Sequence, residues 1–353
     1  MEERPIEGPG APHPGPALAA PDLSPEARRK HAQRWAQGLE DVVEGEVEAH
    51  HHLIARARQV LGRTLAGVWN DGFIHAGNLA YMGVVALFPF FITATAIFSA
   101  IGERGEREAA INAVLLAVPH SVAKAIAPVA HDVIEARTGK LLWIGGLVGL
   151  WTVGSLVETI RDVLRRAYGT KATHAFWRYR LSSTAIIFAA VVLLMMSLLV
   201  QVAIGAVEQA IHAWVPEFDP AFGELAMTRL IPALVLFGSL YLLFYSLTPG
   251  RYRGNGYPKW PGALFVTAWW VLVTMALPWV LRRLFNYDLT YGSLAGIMIT
   301  LFFFWLVGLG MVFGAELNAA LAETPEERDM VGQADNRQRD GRNRDGRMRN
   351  GGD

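Results

Sequence analysis

Cysteine is absent from all 353 residues, which excludes disulfides, thiol catalysis and every zinc or iron–sulfur site built on cysteine. Charge is scarce: 18% of residues are Asp, Glu, Lys or Arg and 52% are hydrophobic, against about 25% charged in an average soluble chain. An ordinary water-soluble enzyme is the wrong class for such a composition. The phosphate-cradling pattern Gly-x-x-x-x-Gly-Lys-Ser/Thr does not occur, so any energy source has to be a gradient or a partner. No direct or inverted internal repeat stands out, which weakens analogy with the inverted-repeat transporters. The first fifty residues carry Pro, Gly and charge without the apolar core of a cleavable signal, so the first apolar helix is expected to direct insertion itself.

The few charges are segregated. Six runs contain no Asp, Glu, Lys or Arg: 72–102, 141–157, 181–207, 230–250, 260–281 and 289–315. A helix needs about 20 apolar residues to cross a hydrocarbon core of roughly 30 Å, and the runs are long enough, the second if its ends extend. Stretches such as Phe302-Phe303-Phe304-Trp305-Leu306-Val307 do not alternate, which excludes a transmembrane β-barrel. The pattern predicts an all-α polytopic membrane protein of six transmembrane helices, at about 79–101, 141–160, 181–207, 230–249, 261–281 and 292–315, within a membrane domain over 49–322.

Six spans put both termini on one side with the second and fourth loops. Those two loops hold nine Lys and Arg (Arg161, Arg165, Arg166, Lys171, Arg178 and Arg180, then Arg251, Arg253 and Lys259), against eight in the other three, which are longer in total. The density of positive charge therefore places the termini and these two loops in the cytoplasm. Tyr168, Trp177, Tyr179, Tyr252, Tyr257 and Trp260 would anchor the cytoplasmic interface, and Trp214, Tyr287 and Tyr291 the outer one. Interfacial amphipathic helices accompany the spans. Leu53, Ala57, Val60, Leu61, Thr64, Leu65, Val68 and Trp69 share a helical face beside Arg56, Arg58 and Arg63, and 106–136 reads as two amphipathic helices around Pro119-His120-Ser121. Residues 1–48 and 323–353 are too polar to bury a core, and both are expected to be disordered cytoplasmic tails.

Ala76-Gly77-Asn78-Leu79-Ala80-Tyr81 followed by Leu87-Phe88-Pro89 opens the first span. Then come Glu158 to Tyr168, Leu243-Phe244-Tyr245-Ser246-Leu247-Thr248-Pro249, Tyr291-Gly292-Ser293-Leu294-Ala295-Gly296 and Gly314-Ala315-Glu316-Leu317-Asn318-Ala319. In order and spacing, over roughly 60–322, these segments resemble the YihY/BrkB family of bacterial inner-membrane proteins. The resemblance implies a six-helix inner-membrane protein usually described as a transporter of unsettled substrate. One member is linked to virulence and serum resistance, and the family once bore the name ribonuclease BN, since judged a misassignment. The Pro-rich start and the Arg/Asp/Gly-rich end depart from the compact family pattern.

Ionisable groups at membrane depth are costly and point to function. The span interiors carry none, and the nearest polar residues are Asn78, Glu158, Gln201, Glu316 and Asn318. All but Gln201 fall at the cytoplasmic end, where with Arg161 and Asp162 they form a candidate substrate pathway. The competing reading is helix-end chemistry, with Glu158–Arg161 and Asp162–Arg166 as i,i+3 and i,i+4 pairs, and Gln201 as an interhelical hydrogen bond. Gly145-x-x-x-Gly149, Gly292-x-x-x-Gly296 and Gly310-x-x-x-Gly314 are close-packing rows, more suited to packing within the bundle than to a dimer seam. Pro89, Pro232 and Pro278 mark kinks.

His50-His51-His52 points its rings about 100° apart on a helix and reads as solvated rather than metal-binding. The ten histidines are scattered, so a phosphodiesterase site is not expected, nor is any cofactor or metal. Asp335, Asp340 and Asp345 blunt the Arg-rich end against nucleic acid. The reading is thus a non-enzymatic transporter or translocator, with lipid or lipid-like cargo slightly favoured because the spans offer so little charge. Its partners would be the bilayer, a bound phospholipid or glycolipid and, on the small-residue rows, a second copy. The rival is a non-transporting scaffold or envelope assembly factor that uses 106–136 to hold partners.

Overall fold

The computed structural model describes residues 22–38, 53–101, 118–135, 140–172, 181–185, 231–254, 256–284 and 294–350, with Leu115 and Trp177 besides. Among the described residues every regular element is helical. In chain order they are α1 (Pro25–Ala36), α2 (Leu53–Gly67), a π-helical turn (Val68–Gly72), α3 (Phe73–Ile101), α4 (His120–Glu135), α5 (Lys140–Ala167), α6 (Ile231–Leu247), a 3₁₀ turn (Gly250–Tyr252), α7 (Trp260–Leu284), α8 (Ala295–Leu321) and α9 (Pro325–Asn350).

Two stretches, Trp260–Leu281 and Ala295–Leu321, are long and apolar enough to cross a membrane, with mean hydropathies of 1.9 and 2.3. The apolar part of α6, Ala233–Leu247, is shorter. At about 1.5 Å per residue, the 29 residues of α3 and 28 of α5 extend beyond 40 Å. Of the third expected span only 181–185 is described.

α8 is the central helix, touching α2, α3, α4, α5 and α7. Its small residues explain why. A Cβ at Gly308 would lie 2.8 Å from the carbonyl oxygen of Ala76 in α3, and one at Gly314 would strike Val266 in α7. Two apolar clusters follow. At one end Val163, Leu164, Tyr168, Phe244, Tyr252, Val266, Val312 and Ala315 pack together. At the other, Val122 and Ile126 of α4 meet Val273, Leu277, Leu281 and Phe303. The second half of the amphipathic 106–136 segment is therefore a helix that packs on α3 and α8. We call the first end the charged end, because α1, α2 and α9 gather there.

One expectation is corrected. The tails are not uniformly unstructured: α1 forms within the first and α9 within the second, and they pack on each other through Ala32, Trp35, Met330 and Val331. Helix-start chemistry outweighs composition here. Ser24 caps α1, its hydroxyl accepting from the Ala27 amide at 3.3 Å, and Thr324 accepts from the Glu327 amide at 3.3 Å. α2 is amphipathic, with its apolar residues divided between the bundle and the outer surface. Thr64 and Val68 are buried, while Ile54, Leu61, Leu65 and Trp69 point outward. Pro89 and Pro278 lie inside α3 and α7, and Pro232 lies at the edge of the described part of α6.

Candidate functional site

A cavity of about 310 Å³ opens at the charged end. Its walls come from α2 and the π turn (Arg63, Gly67, Asn70, Asp71), the start of α3 (His75), the end of α5 (Val163, Arg166) and the end of α8 (Val312, Glu316, Ala320). Asp22, Leu23 and Ser24, leading into α1, close it. Both signs of charge line one space. Among the described residues the buried Nε2 of His75 has no hydrogen-bond partner, and none donates to the Glu316 carboxylate. Gly67 is the reason that carboxylate fits: a Cβ there would overlap the Glu316 oxygens.

The closing segment is held by a network spanning both termini. Arg28 is 5% exposed. Its Nη1 lies 2.6 and 2.7 Å from the two carboxylate oxygens of Glu327, and Nη2 donates to the carbonyls of Ala319 at 3.1 Å and Ala322 at 2.9 Å. A guanidinium thus occupies the C-terminus of α8, where carbonyls have no helical partner and the dipole favours a cation. Arg63 approaches Glu327 to 3.5 Å, and Arg56 pairs with Glu323 at 2.8 Å. Tyr252 donates its hydroxyl to Glu26 at 2.8 Å and packs its ring 5.1 Å from that of Tyr168. Gly169 ends α5 with φ +67°, the left-handed turn that glycine takes without strain. The space where its Cβ would stand holds the Ser24 hydroxyl.

Burial alone would raise the Glu26 pKa, but hydrogen bonds from Arg29 and Tyr252 and the charges of Arg29 and Arg251 outweigh it and hold the carboxyl below 4.5. A depressed carboxyl stabilises the docked state fully above its unfolded value and loses that contribution as pH falls through the folded one. The docking of α1 should therefore be flat from neutral pH down to about 4.5 and weaken only below it. Anisotropy of a dye on a cysteine introduced at Gln37 would read this, with the acid loss shallower in Glu26→Gln. An identical loss in that variant would remove Glu26 as the cause.

The structure separates residues that the sequence groups together. Glu316 lines the cavity. Asn318, two residues on, is buried on another side of α8: its Oδ1 accepts from the Gly262 amide at 2.8 Å and its Nδ2 donates to the Lys259 carbonyl at 3.1 Å. It caps α7 from a neighbouring helix. Glu158 pairs with Arg161 and accepts from Ser183, while Arg161 also donates to Ser182 at 3.2 Å. That cluster joins α5 to the 181–185 turn and does not line the cavity. Asp162 pairs with Arg165 at 2.6 Å, not with Arg166 as the i,i+4 spacing suggests, and Arg166 turns to the cavity wall. Asn78 is exposed on α3, and Gln201 lies outside the described residues. Gly145 and Gly149 are buried on α5. Gly310 faces Trp269, Gly314 faces Val266, and a Cβ at Gly296 would meet Ala125 of α4 at 3.1 Å. Gly292 is outside the described residues.

Arg63, Gly67, Asp71, His75 and the 22–24 segment are the site residues that the sequence alone does not single out as a site. The available signals were the Ser24-Pro25-Glu26 and Thr324-Pro325-Glu326-Glu327 helix starts. They locate α1 and α9 but not their partners.

An all-helical bundle with membrane-length apolar helices and a charged cavity at one end defines a helical membrane protein. The chain belongs to the family described as virulence factor BrkB, which matches residues 67–338. It is 26% identical over 259 residues to a ribonuclease-like protein, YfkH, of Bacillus subtilis (strain 168), covering 71% of this chain and 90% of that one. It is 24% identical to a UPF0761 membrane protein of Alteromonas mediterranea, over 72% of this chain and 84% of the relative. A UPF0761 membrane protein of Aggregatibacter aphrophilus is 26% identical, over 72% and 88%. No solved structure matches. Among the described residues no group of three or more His, Cys, Asp or Glu side chains is placed to hold a metal.

Proposed function

We propose that this membrane protein is a six-span transporter or translocator of the bacterial inner membrane, with both termini cytoplasmic, and that the cavity around Glu316 receives its substrate. One observation carries the reading: an acidic side chain near the end of a membrane-length helix lines a charged cavity, and no side chain or amide among the described residues hydrogen-bonds to its carboxylate. Such a group is costly unless a ligand or water completes it. A lipid or lipid-like substrate fits best. Trp69, Phe73 and Ile74, at 78%, 44% and 72% exposure, flank Asn70, Asp71 and His75 of the cavity wall. An apolar surface thus abuts a charged pocket, the arrangement a charged headgroup on acyl chains requires. The scaffold alternative draws on α9, 26 residues long and largely polar, as a platform for envelope partners.

The test is native mass spectrometry of the full chain released gently from its own membrane. A phospholipid or glycolipid mass retained by the wild type should be lost in Glu316→Gln and kept in Glu158→Gln, whose carboxylate is engaged by Arg161 and Ser183. Equal retention in both variants would separate the lipid from this cavity. A lipid-free wild type would shift weight to ions or small solutes, and a retained protein partner would favour the scaffold.

A further inference from the structure

We propose that residues 22–38 form a removable lid on the cavity, latched shut by α9, so that the two termini together regulate access to the site. The inference rests on the cavity being a binding site, and three observations carry it.

First, the lid is a wall. Asp22, Leu23 and Ser24 line the cavity directly, and they are the only part of its lining that does not belong to α2, the π turn, α3, α5 or α8. Moving this segment opens the space without repacking the bundle.

Second, the seat is made for release. α1 contributes little apolar surface, chiefly Ala32 and Trp35 against Met330 and Val331. Most of its attachment is polar: Arg28 to Glu327, Arg29 to Glu326 at 3.4 Å, and Glu26 to Tyr252 at 2.8 Å. A 12-residue helix is marginal in water on its own, so α1 off its seat loses its form and cannot obstruct the opening. The seat itself is preformed by the bundle, with Gly169 vacating the space for Ser24 and Tyr252 presenting its hydroxyl.

Third, the latch communicates with the cavity. Arg63 lines the cavity and also reaches Glu327 to 3.5 Å. When Arg28 leaves, Arg63 is already placed to take over the Glu327 carboxylate, which swings a positive charge from the pocket toward the vacated latch. Opening therefore changes the charge of the site as well as its access.

The native absence of cysteine makes the test direct. A single cysteine at Ala320, a buried residue on the cavity wall, is labelled with a hydrophilic maleimide in membrane vesicles holding the full chain. Exposed Arg58→Cys on α2 serves as the reference for an open site. Labelling at position 320 should be far slower than at position 58, and should speed up at least about tenfold on adding Arg28→Ala, the factor for each 1.4 kcal/mol of latch lost. Glu26→Gln, which leaves the buried Arg28–Glu327 pair intact, should give a smaller increase and guards against simple misfolding. Equal rates at position 320 in all three backgrounds, or a rate as fast as at position 58 from the outset, would overturn the lid. Lipid retention is read separately. Loss of ligand in Glu316→Gln with unchanged labelling keeps the site and removes the lid, while responsive labelling with no ligand keeps the lid and removes the site.

Discussion

Arg28→Ala is expected to detach both termini in one step. The substitution leaves Glu327, 3% exposed, with only the longer Arg63 contact, and strips two donors from the last carbonyls of α8. Breaking a buried ion pair by removing one partner costs about 3–5 kcal/mol, because the remaining charge is stranded. Since α1 has little apolar contact to fall back on, that loss exceeds what holds it in place. Trypsin cleavage at Lys30 and Arg34 should accelerate, while the melting of the bundle in detergent changes little. The double variant Arg28→Leu with Glu327→Leu removes the stranded charge and should recover part of the protection. Recovery stays incomplete because the Ala319 and Ala322 carbonyls remain without Arg28. Unchanged cleavage in Arg28→Ala would mean that the pair is dispensable.

The largest effect inside the bundle is expected at the crossing of α7 and α8. A Cβ at Gly262 would meet the carbonyl oxygen of Gly314 and the amide of Asn318. The first is backbone and cannot rotate aside, so Gly262→Ala must push the two helices apart. Overpacking of this kind costs about 1–3 kcal/mol, and here it also lengthens the bond from the Gly262 amide to Asn318. Asn318→Ala tests the polar half alone. It leaves the buried Gly262 amide without its acceptor, at about 1–3 kcal/mol, while the Lys259 carbonyl keeps the Ala263 amide as donor. Both variants should lower the melting temperature and the yield of monodisperse protein. Ligand retention by the surviving folded fraction should not change, because neither residue lines the cavity. A ligand-retention defect in folded Asn318→Ala would return Asn318 to the substrate pathway.

The helical class and the apolar segments were legible because membrane-length runs and small-residue spacing are local signals. Glu316 was legible as an acid beside a charge-free run. What it faces was not, since the opposing Gly67 and Arg63 come from a helix some 250 residues earlier, in a stretch read as interfacial. Asn318 and Glu158 sit in the same family segments as Glu316 or near its level, yet their side chains serve α7 and the 181–185 turn. Sequence places residues at a height along a helix, whereas the azimuth that decides their neighbours follows from packing. The tails were misjudged for another reason. Their composition is that of disordered chain, but Ser24-Pro25 and Thr324-Pro325 are helix starts whose products become stable only against each other.

That mutual dependence bears on biosynthesis. Arg28 precedes Glu327 by 299 residues, so it is synthesised well before its partner. At about 5–20 residues per second, the N-terminal helix waits many seconds for its seat, through the insertion of every membrane helix. A chain that stalls or is cut before Glu327 leaves Arg28, Arg29 and Lys30 on an unseated, protease-accessible stretch. The docked pair of helices therefore marks a chain whose synthesis has passed Glu327, and one that has not exposes its own basic segment to degradation.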